Sequence, residues 1–322
     1  MKAIVTNQYG TSKVLQQMEV PVPVHRSKEV LIKLHATTVN RTDTGFLSGL
    51  PKLVRLFTGL LRPKHQVLGN EFAGEIVAVG NDVTTFQTGD RVFGYNDQRF
   101  GAHAEYIVMP ANGNMATIPP DFSYQEAAPL TEGAHYALCD LRAAKIQSGQ
   151  HILINGATGA IGSAAVQLAK HFGAHVTATC ATAHLDLVKN LGADVVIDYT
   201  TTDFTQLNLQ VDLVFDAVGK SSFGKCKRLL KSKGIYVSTE LGEGGENVWL
   251  AIIKKFTGGK RVLFPIPSIN QNDVIFLQQL AATGKFKPVI DRIYSFEEIA
   301  AAYDHAFTGT KIGNLVITVN KP

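Results

Sequence analysis

Three glycines offer the first chemistry in this chain. In HILINGATGAIGSAAVQLAK (His151 to Lys170), Gly156, Gly159 and Gly162 stand at a spacing of three. A short apolar run, His151 to Asn155, precedes them, and small or apolar residues follow at helical intervals: Ile161, Ala165, Leu168, Ala169 and Phe172. The pattern predicts strand, glycine turn, helix. Such a turn binds anions. Its backbone N–H groups are unshielded by side chains, so a pyrophosphate can approach, and the new helix points its positive end at the phosphates. A tight turn that binds nothing has the same local pattern. The continuation separates the two readings. A second strand (Val176 to Cys180), a helix and a third strand (Val195 to Tyr199) complete the βαβαβ unit of a dinucleotide site.

An acidic residue near the end of the second strand usually holds a ribose with free hydroxyls. Here that end runs Thr177, Ala178, Thr179, Cys180, Ala181, Thr182, Ala183, His184, with no Asp or Glu before Asp186. The missing carboxylate removes repulsion against a 2′-phosphate. Metal chemistry has little to work with. Cys139, Cys180 and Cys226 are far apart and form no CxxC pair, which suits reduced thiols in a cytoplasm. His65, His103 and His135 are scattered and read as surface or hydrogen-bonded core histidines.

Elements of two kinds must position these residues. The first third is strand-rich, with candidate strands at Lys2 to Thr6, Glu29 to Ala36, Phe72 to Val79, Arg91 to Gly94 and Ala104 to Met109. Glycine turns at Gly69, Gly80 and Gly89 punctuate it, which predicts a small barrel-like β domain. The character changes near Pro119 and Pro120, where Ser123 and Glu126 form a capping-box pattern. From Gln150 onward strands and helices alternate, with further strands at Val211 to Gly219 and Gly234 to Thr239; this is a parallel sheet covered on both faces. Ser268 with Gln271, and Ser295 with Glu298, repeat the capping pattern before two more helices. Asn314 to Val319 is a last strand. The expected division is 1–122, 123–265 and 266–322, a parallel nucleotide domain inserted into a β domain.

The chain has 322 residues, enough for two cores. Its 31 basic and 27 acidic residues leave a net charge of +4, too mild to make nucleic acid the main partner. The cluster Lys225, Lys227, Arg228, Lys231 and Lys233 reads as the solvated face of one helix. No apolar run is long enough to span a membrane, and Met1 to Val5 begins directly as a strand, without a signal peptide.

Seven stretches together resemble the medium-chain dehydrogenase/reductase superfamily, in its zinc-independent quinone oxidoreductase branch. They are Val39 to Asp43, LGNEFAGEIVAVG (Leu68 to Gly80), GDRVFG (Gly89 to Gly94), NGATGAIGSAAVQLAK (Asn155 to Lys170), LGADVVIDY (Leu191 to Tyr199), FDAVG (Phe215 to Gly219) and KPVIDR (Lys287 to Arg292). The resemblance implies an α/β fold: a Rossmann doubly wound parallel sheet plus a GroES-like β-barrel catalytic domain. It implies hydride transfer between a nicotinamide and a carbonyl, alcohol or enone in a cleft between the domains.

The resemblance also assigns roles. Zinc-dependent relatives carry a cysteine where this chain has Asn40 and a histidine where it has Asn70, and neither amide suits zinc. The loop after Gly94, where four structural cysteines would follow, contains none, so no zinc is expected. Around the phosphates the implied cofactor residues are Gly156, Ala157, Thr158, Gly159, Ala160 and Ile161. NADPH-using relatives place a hydroxyl, a basic residue and a tyrosine around the 2′-phosphate; these positions fall on Thr182, His184 and Tyr199. Histidine is only partly charged at neutral pH, so NADPH is expected with weaker discrimination than a lysine gives. Thr131, Gly219, Gly242 and the Lys311 to Asn314 stretch fall close to the cofactor. Asn40 is the leading catalytic candidate, as a donor to the substrate oxygen. Asp43 orients it or merely caps a turn, and Tyr95 is a second candidate proton donor or a loop aromatic.

Three functions remain open at this level: an NADPH-dependent reductase of quinones or α,β-unsaturated carbonyls, a zinc-free dehydrogenase of saturated alcohols, and a non-enzymatic NADPH-binding sensor or RNA-binding relative. The Gly45 to Lys64 segment reads as an apolar lid for a small apolar carbonyl, enone or quinone. Trp249 to Phe264, with a hairpin-like Gly258–Gly259 turn before a strand at Lys260 to Phe264, resembles the family's subunit-pairing edge and implies a cytoplasmic homodimer.

Overall fold

The computed structural model describes residues 1–255 and 257–320, and only the backbone of Leu53 and Phe57. The chain forms two compact units: Met1–Glu132 together with Ile269–Pro322, and Gly133–Ser268.

The first unit opens with β1 (Lys2–Val5) paired antiparallel to β2 (Gln16–Glu19). Then come β3 (Glu29–Val39), α1 (Arg41–Ser48), α2 (Arg55–Thr58), β4 (Glu71–Val79), β5 (Arg91–Tyr95), β6 (Tyr106–Pro110) and β7 (Met115–Thr117). The capping box read at Ser123 is present: Ser123 Oγ accepts from the Glu126 N–H, and Glu126 Oε2 accepts from the Ser123 N–H. It starts only a short α3 (Tyr124–Ala127), and α4 (Glu132–Ala143) follows. The first unit runs on to Glu132, beyond residue 122, because the α3 region lies against β3 and β4.

The second unit contains β8 (His151–Asn155), α5 (Ala160–His171), β9 (His175–Cys180), α6 (Leu185–Asn190), β10 (Val195–Asp198), β11 (Val211–Asp216), α7 (Phe223–Cys226), β12 (Leu230–Ser238), α8 (Glu246–Lys254) and β13 (Arg261–Leu263). All six strands are parallel, in the order β10-β9-β8-β11-β12-β13. That is the doubly wound Rossmann order, which reverses between β8 and β11. Leu153, Val214, Tyr236, Phe223 and Leu229 form its buried core. The chain then returns to the first unit through α9 (Gln271–Ala282), β14 (Ile290–Ser295), α10 (Ile299–Thr308) and β15 (Asn314–Thr318).

Three expectations change. The helix at 271 is capped by Asn270 with Asp273, not by Ser268, because Asp273 is the residue that reaches back to the cap N–H. The basic cluster is not one helical face. Lys225 lies on α7, while Lys231 and Lys233 stand on β12, whose first residues are already paired in the sheet or exposed. Lastly, β13 does not belong to a hairpin. It joins β12 in parallel after the α8 crossover, as an edge strand. Phe256, within that stretch, lies outside the described residues.

β3 organises the first unit. Its sequence, EVLIKLHATTV, is aliphatic and β-branched and almost wholly buried, as suits a strand with neighbours on both sides. β4 pairs with it antiparallel in the register Thr37 with Phe72, and β15 in the register Val39 with Leu315. The beginnings of β4 and β15 therefore meet the end of β3. Ile32, Leu34, Phe72, Ile76 and Met115 fill one core, and Val39, Leu47, Leu315, Ile317 and Tyr303 another.

Candidate active site

The register of the sheet brings a polar cluster to the end of β3. Asn40 follows β3 directly and stands ahead of α1, buried, with its N–H bonded to Asp43 Oδ2 at 2.8 Å. Asp43 is therefore the cap of that helix turn. The Asn40 side chain is held at both ends. Its Nδ2 donates to Glu71 Oε2 at 3.0 Å and to Thr38 Oγ1 at 3.3 Å, and its Oδ1 accepts from Lys311 Nζ at 3.0 Å. Lys311 also donates to the Gly313 carbonyl.

Glu71 is the hub of this cluster. It is fully buried and accepts five hydrogen bonds. Thr131 N, Thr131 Oγ1 and Glu132 N reach Oε1 at 3.0, 2.7 and 2.6 Å; Thr38 Oγ1 and Asn40 Nδ2 reach Oε2 at 2.8 and 3.0 Å. Burial pushes its carboxyl above the ordinary carboxylate range, while the Glu132, Thr131 and Thr38 donors pull it back. Every contact is a donor, so the ionised form is the one this site satisfies. Burial also raises Asp43 to about 7, against the pull of the Asn40 N–H, with the Glu71 charge adding to the rise. Glu132 is pushed well up, first by burial and then by the Asp43 and Glu71 charges. Burial lowers Lys311, opposed by Glu132, Glu71, Asp291 and Asp43. Asp43 Oδ1 and Glu132 Oε2 are buried without a partner among the described residues.

The other candidates of this unit make hydrogen bonds within it. His103 Nε2 meets the Thr38 carbonyl at 2.9 Å, and burial lowers its pKa to about 4, so it is a neutral core group. Tyr95 is buried, with its hydroxyl 3.5 Å from Asn70 Nδ2. Asn314 donates to the Val289 carbonyl at 2.9 Å. In the Gly45 to Lys64 segment Leu50, Leu56, Leu60 and Leu61 are exposed, Leu61 by 92%.

In the second unit the glycine turn has the geometry a pyrophosphate needs. Gly156 sits at φ +82° between β8 and α5. A Cβ on Gly162 would collide with the Gly156 carbonyl, so that glycine serves helix–strand contact. Gly159 is different. It precedes α5 at φ −70°, and a Cβ there would meet only Gly156 O at 3.9 Å. Nothing in the fold requires glycine at 159, whereas close approach of a phosphate does. Ala160 and Ile161 open the helix, no side chain caps it, and its first turn holds no acidic residue. The residues present fit a dinucleotide.

Gly156 to Ile161 follow β8, Thr182 and His184 follow β9, Tyr199 follows β10, Gly219 follows β11 and Gly242 follows β12. All lie at the carboxyl ends of the parallel strands, where doubly wound sheets bind ligands. Thr131 and Asn314 belong to the first unit, and Thr131 gives its hydroxyl proton to Glu71. One group was missed. Asp198, the last residue of β10, accepts from Thr182 Oγ1 at 2.6 Å and from Thr200 Oγ1 at 2.6 Å. The ribose end thus has a carboxylate, delivered by the neighbouring strand rather than by β9. The Thr182 and Thr200 donors around it hold its carboxyl below the ordinary range.

A strand order that reverses beside such a glycine turn defines a dinucleotide-dependent oxidoreductase class. Comparison with known proteins agrees. The profile of the alcohol dehydrogenase GroES-like domain matches residues 26–120, and that of the zinc-binding dehydrogenases matches residues 191–317. The chain is 34% identical to 2-methylene-furan-3-one reductase of Solanum lycopersicum, over 98% of this chain and 79% of that one. It is 31% identical to the chloroplastic NADPH-dependent alkenal/one oxidoreductase of Arabidopsis thaliana, with the same coverage. The quinone oxidoreductase structure from Coxiella burnetii superposes with a TM-score of 0.88 at 30% identity, covering 99% of both chains. The chain belongs to the medium-chain dehydrogenase/reductase superfamily, in its quinone oxidoreductase-like branch. It is an oxidoreductase that works with a nicotinamide cofactor. Among the described residues no cluster of His, Cys, Asp and Glu is arranged to hold a metal, and no helix is long and apolar enough to cross a membrane.

Proposed function

We propose that this protein reduces a quinone, or the C=C bond of an apolar enone, with NADPH and without zinc. The observation that carries this reading is the donor set at Asn40. Where zinc-dependent relatives would need soft ligands, this chain has an amide, a carboxylate filled by five donors and an ammonium group. A cation beside Lys311 would be repelled by it. When bound, the reduced nicotinamide supplies a hydride, and the residues of this chain manage the charge that follows.

A saturated ketone that takes a hydride becomes an alkoxide, a strong base that needs a Lewis acid. An enone or quinone becomes an enolate or phenolate, whose charge is delocalised, and hydrogen-bond donors suffice. One well-placed donor is worth roughly 3 kcal/mol in such a transition state. The exposed leucines of the Gly45 to Lys64 segment favour an apolar substrate.

The glycine turn holds the pyrophosphate, with Gly159 allowing the closest approach. Thr182, His184 and Tyr199 serve the 2′-phosphate end, and Asp198 beside Thr182 keeps the preference over NADH modest. The three cysteines, with no disulfide between them among the described residues, fit a cytoplasmic protein. The apolar face of α8, with Trp249 64% exposed, together with the open edge of β13, supports a homodimer.

The test is NADPH oxidation against a panel of enones and quinones, alongside NADP⁺ reduction with saturated alcohols. Turnover of the first group and not the second is expected. Comparable rates with alcohols would overturn the reading.

A further inference from the structure

Both N–H groups of the Asn40 amide are already engaged, one by Glu71 and one by Thr38, so this amide has no donor to offer a substrate. Its oxygen, meanwhile, holds the Lys311 ammonium at 3.0 Å. An ammonium has three N–H donors. Lys311 places two of them, on Asn40 Oδ1 and on the Gly313 carbonyl, and no other described residue accepts from it. The residue is partly exposed, and the third N–H of its ammonium has no acceptor among the described residues.

Burial works against the charge on this group, and the carboxyl groups around it work for it. Glu132 and Glu71, Asp291 on β14 and Asp43 on α1 all face it and favour the protonated form against burial. Among the carboxyl groups that act on it, Asp43 Oδ1 and Glu132 Oε2 are buried without a partner among the described residues, so groups able to exchange protons stand in its surroundings. Asn40 has become a clamp. Glu71 fixes the amide plane, and the amide oxygen in turn aims the lysine.

We infer that Lys311 is a catalytic residue of the reduction: its free N–H takes the substrate oxygen, and its ammonium supplies the proton. Asn40 is then a positioning residue. This rests on the proposed reading of the reaction, in which the substrate is a conjugated carbonyl. Once the β carbon of an enone has accepted the hydride, the C=C π pair moves into a new C=C bond and the carbonyl pair moves onto oxygen. The resulting enolate pairs with the ammonium. The Nζ–H bond breaks, the proton goes to oxygen, and the enol rearranges to the saturated ketone. A quinone ends instead as the hydroquinone. The neutral amine regains a proton from water. The balance is one enone, one reduced nicotinamide and one proton giving one saturated ketone and one oxidised nicotinamide.

A phenol that absorbs differently when ionised, 4-nitrophenol, mimics the enolate and tests the inference without turnover. In the presence of NADP⁺ the wild type is expected to bind it as the phenolate at a pH where the free phenol is neutral. Lys311→Met should lose that spectral change and lower kcat with an enone about a hundredfold. Lys311→Arg keeps the charge but gives up no proton at neutral pH. It should keep the spectral change and lose turnover, and it also controls for folding. Absence of phenolate uptake by the wild type, equal uptake by Lys311→Met, or full kcat in Lys311→Met would overturn the inference. Lysine-dependent phenolate uptake without turnover of any enone or quinone would instead sink the substrate class and leave the donor role standing.

Discussion

In the second unit the groups that meet a dinucleotide come mostly from one continuous stretch, Gly156 to Ile161. In the first unit the polar groups around Asn40 come from positions 38, 43, 71, 131, 132 and 311. The contrast reflects what each site needs. A pyrophosphate asks for bare backbone N–H groups and a helix end, and one turn supplies both. Charge developing on a substrate oxygen asks for a held cation in a place poor in water. A cation there is tolerable only with carboxylates around it, and no short stretch can surround its own side chain. The first site is therefore robust in fold and exacting in one atom. The second is a network in which each member holds the next.

Removing the hub should hurt most. Glu71→Ala leaves five donors without their acceptor, and breaking a buried charged network of this kind costs on the order of 3–5 kcal/mol. Urea unfolding should show that loss; a variant of wild-type stability would mean the network is ornamental.

Gly159→Val tests the opposite property. An added Cβ meets only the Gly156 carbonyl, at 3.9 Å, and the backbone there has a negative φ, so stability should stay near wild type. Affinity for NADPH should fall at least about a hundredfold, a loss of about 2.8 kcal/mol at about 1.4 kcal/mol per tenfold. Calorimetric titration reads this directly, and unchanged affinity would place the pyrophosphate elsewhere.

Asn40→Ala should lower kcat about a hundredfold while leaving NADPH affinity nearly intact, because it loosens Lys311 without touching the glycine turn. Steady-state kinetics with an enone, beside nucleotide titration, separates the two effects. Loss of nucleotide binding with kcat intact would reverse the assignment.

A smaller effect should appear at the ribose end. Thr182 gives its proton to Asp198, so Asp198→Asn frees a charge-repelling position. The NADPH-to-NADH affinity ratio should rise about tenfold, or about 1.4 kcal/mol. No change in that ratio would remove Asp198 from the site.

The smallest effect concerns pH. Burial raises Asp43 to about 7 from its ordinary 3.8, so the folded chain holds this proton more tightly than the unfolded one. Its stabilising contribution is fully present below 3.8 and is lost as pH rises through 7. Asp43→Asn should flatten the decline of melting temperature between pH 5 and pH 8. Glu132, raised in the same direction, keeps part of the slope. An equally steep decline in the variant would assign the titration to other groups.

How each part could be read follows from the range of the forces that build it. The βαβαβ unit was legible from Gln150 onward because apolar period, glycine turn and helix start act over a few residues. Most strands of the first unit were legible for the same reason, but β2, β7 and β14, which carry no clear alternation, were not. The Ser295 cap was legible, since its partner Glu298 is three residues away. The cap at 270 was misread because two overlapping polar patterns compete there, and only the packed helix selects Asn270 with Asp273. The lysines of β12 looked helical until sheet pairing decided otherwise.

By itself the sequence determined that a glycine turn stands between a strand and a helix of a βαβαβ unit, and that the cysteine pattern of zinc-dependent relatives is missing. Only the tertiary structure decided what Asn40 does. Its partners are 31 and 271 positions away, and they arrive because β4 and β15 pair with β3 in one register. A slip of one residue would turn every side chain on those strands to the opposite face. The packing of the sheet, and not any local preference, set the Asn40 amide between Glu71 and Lys311.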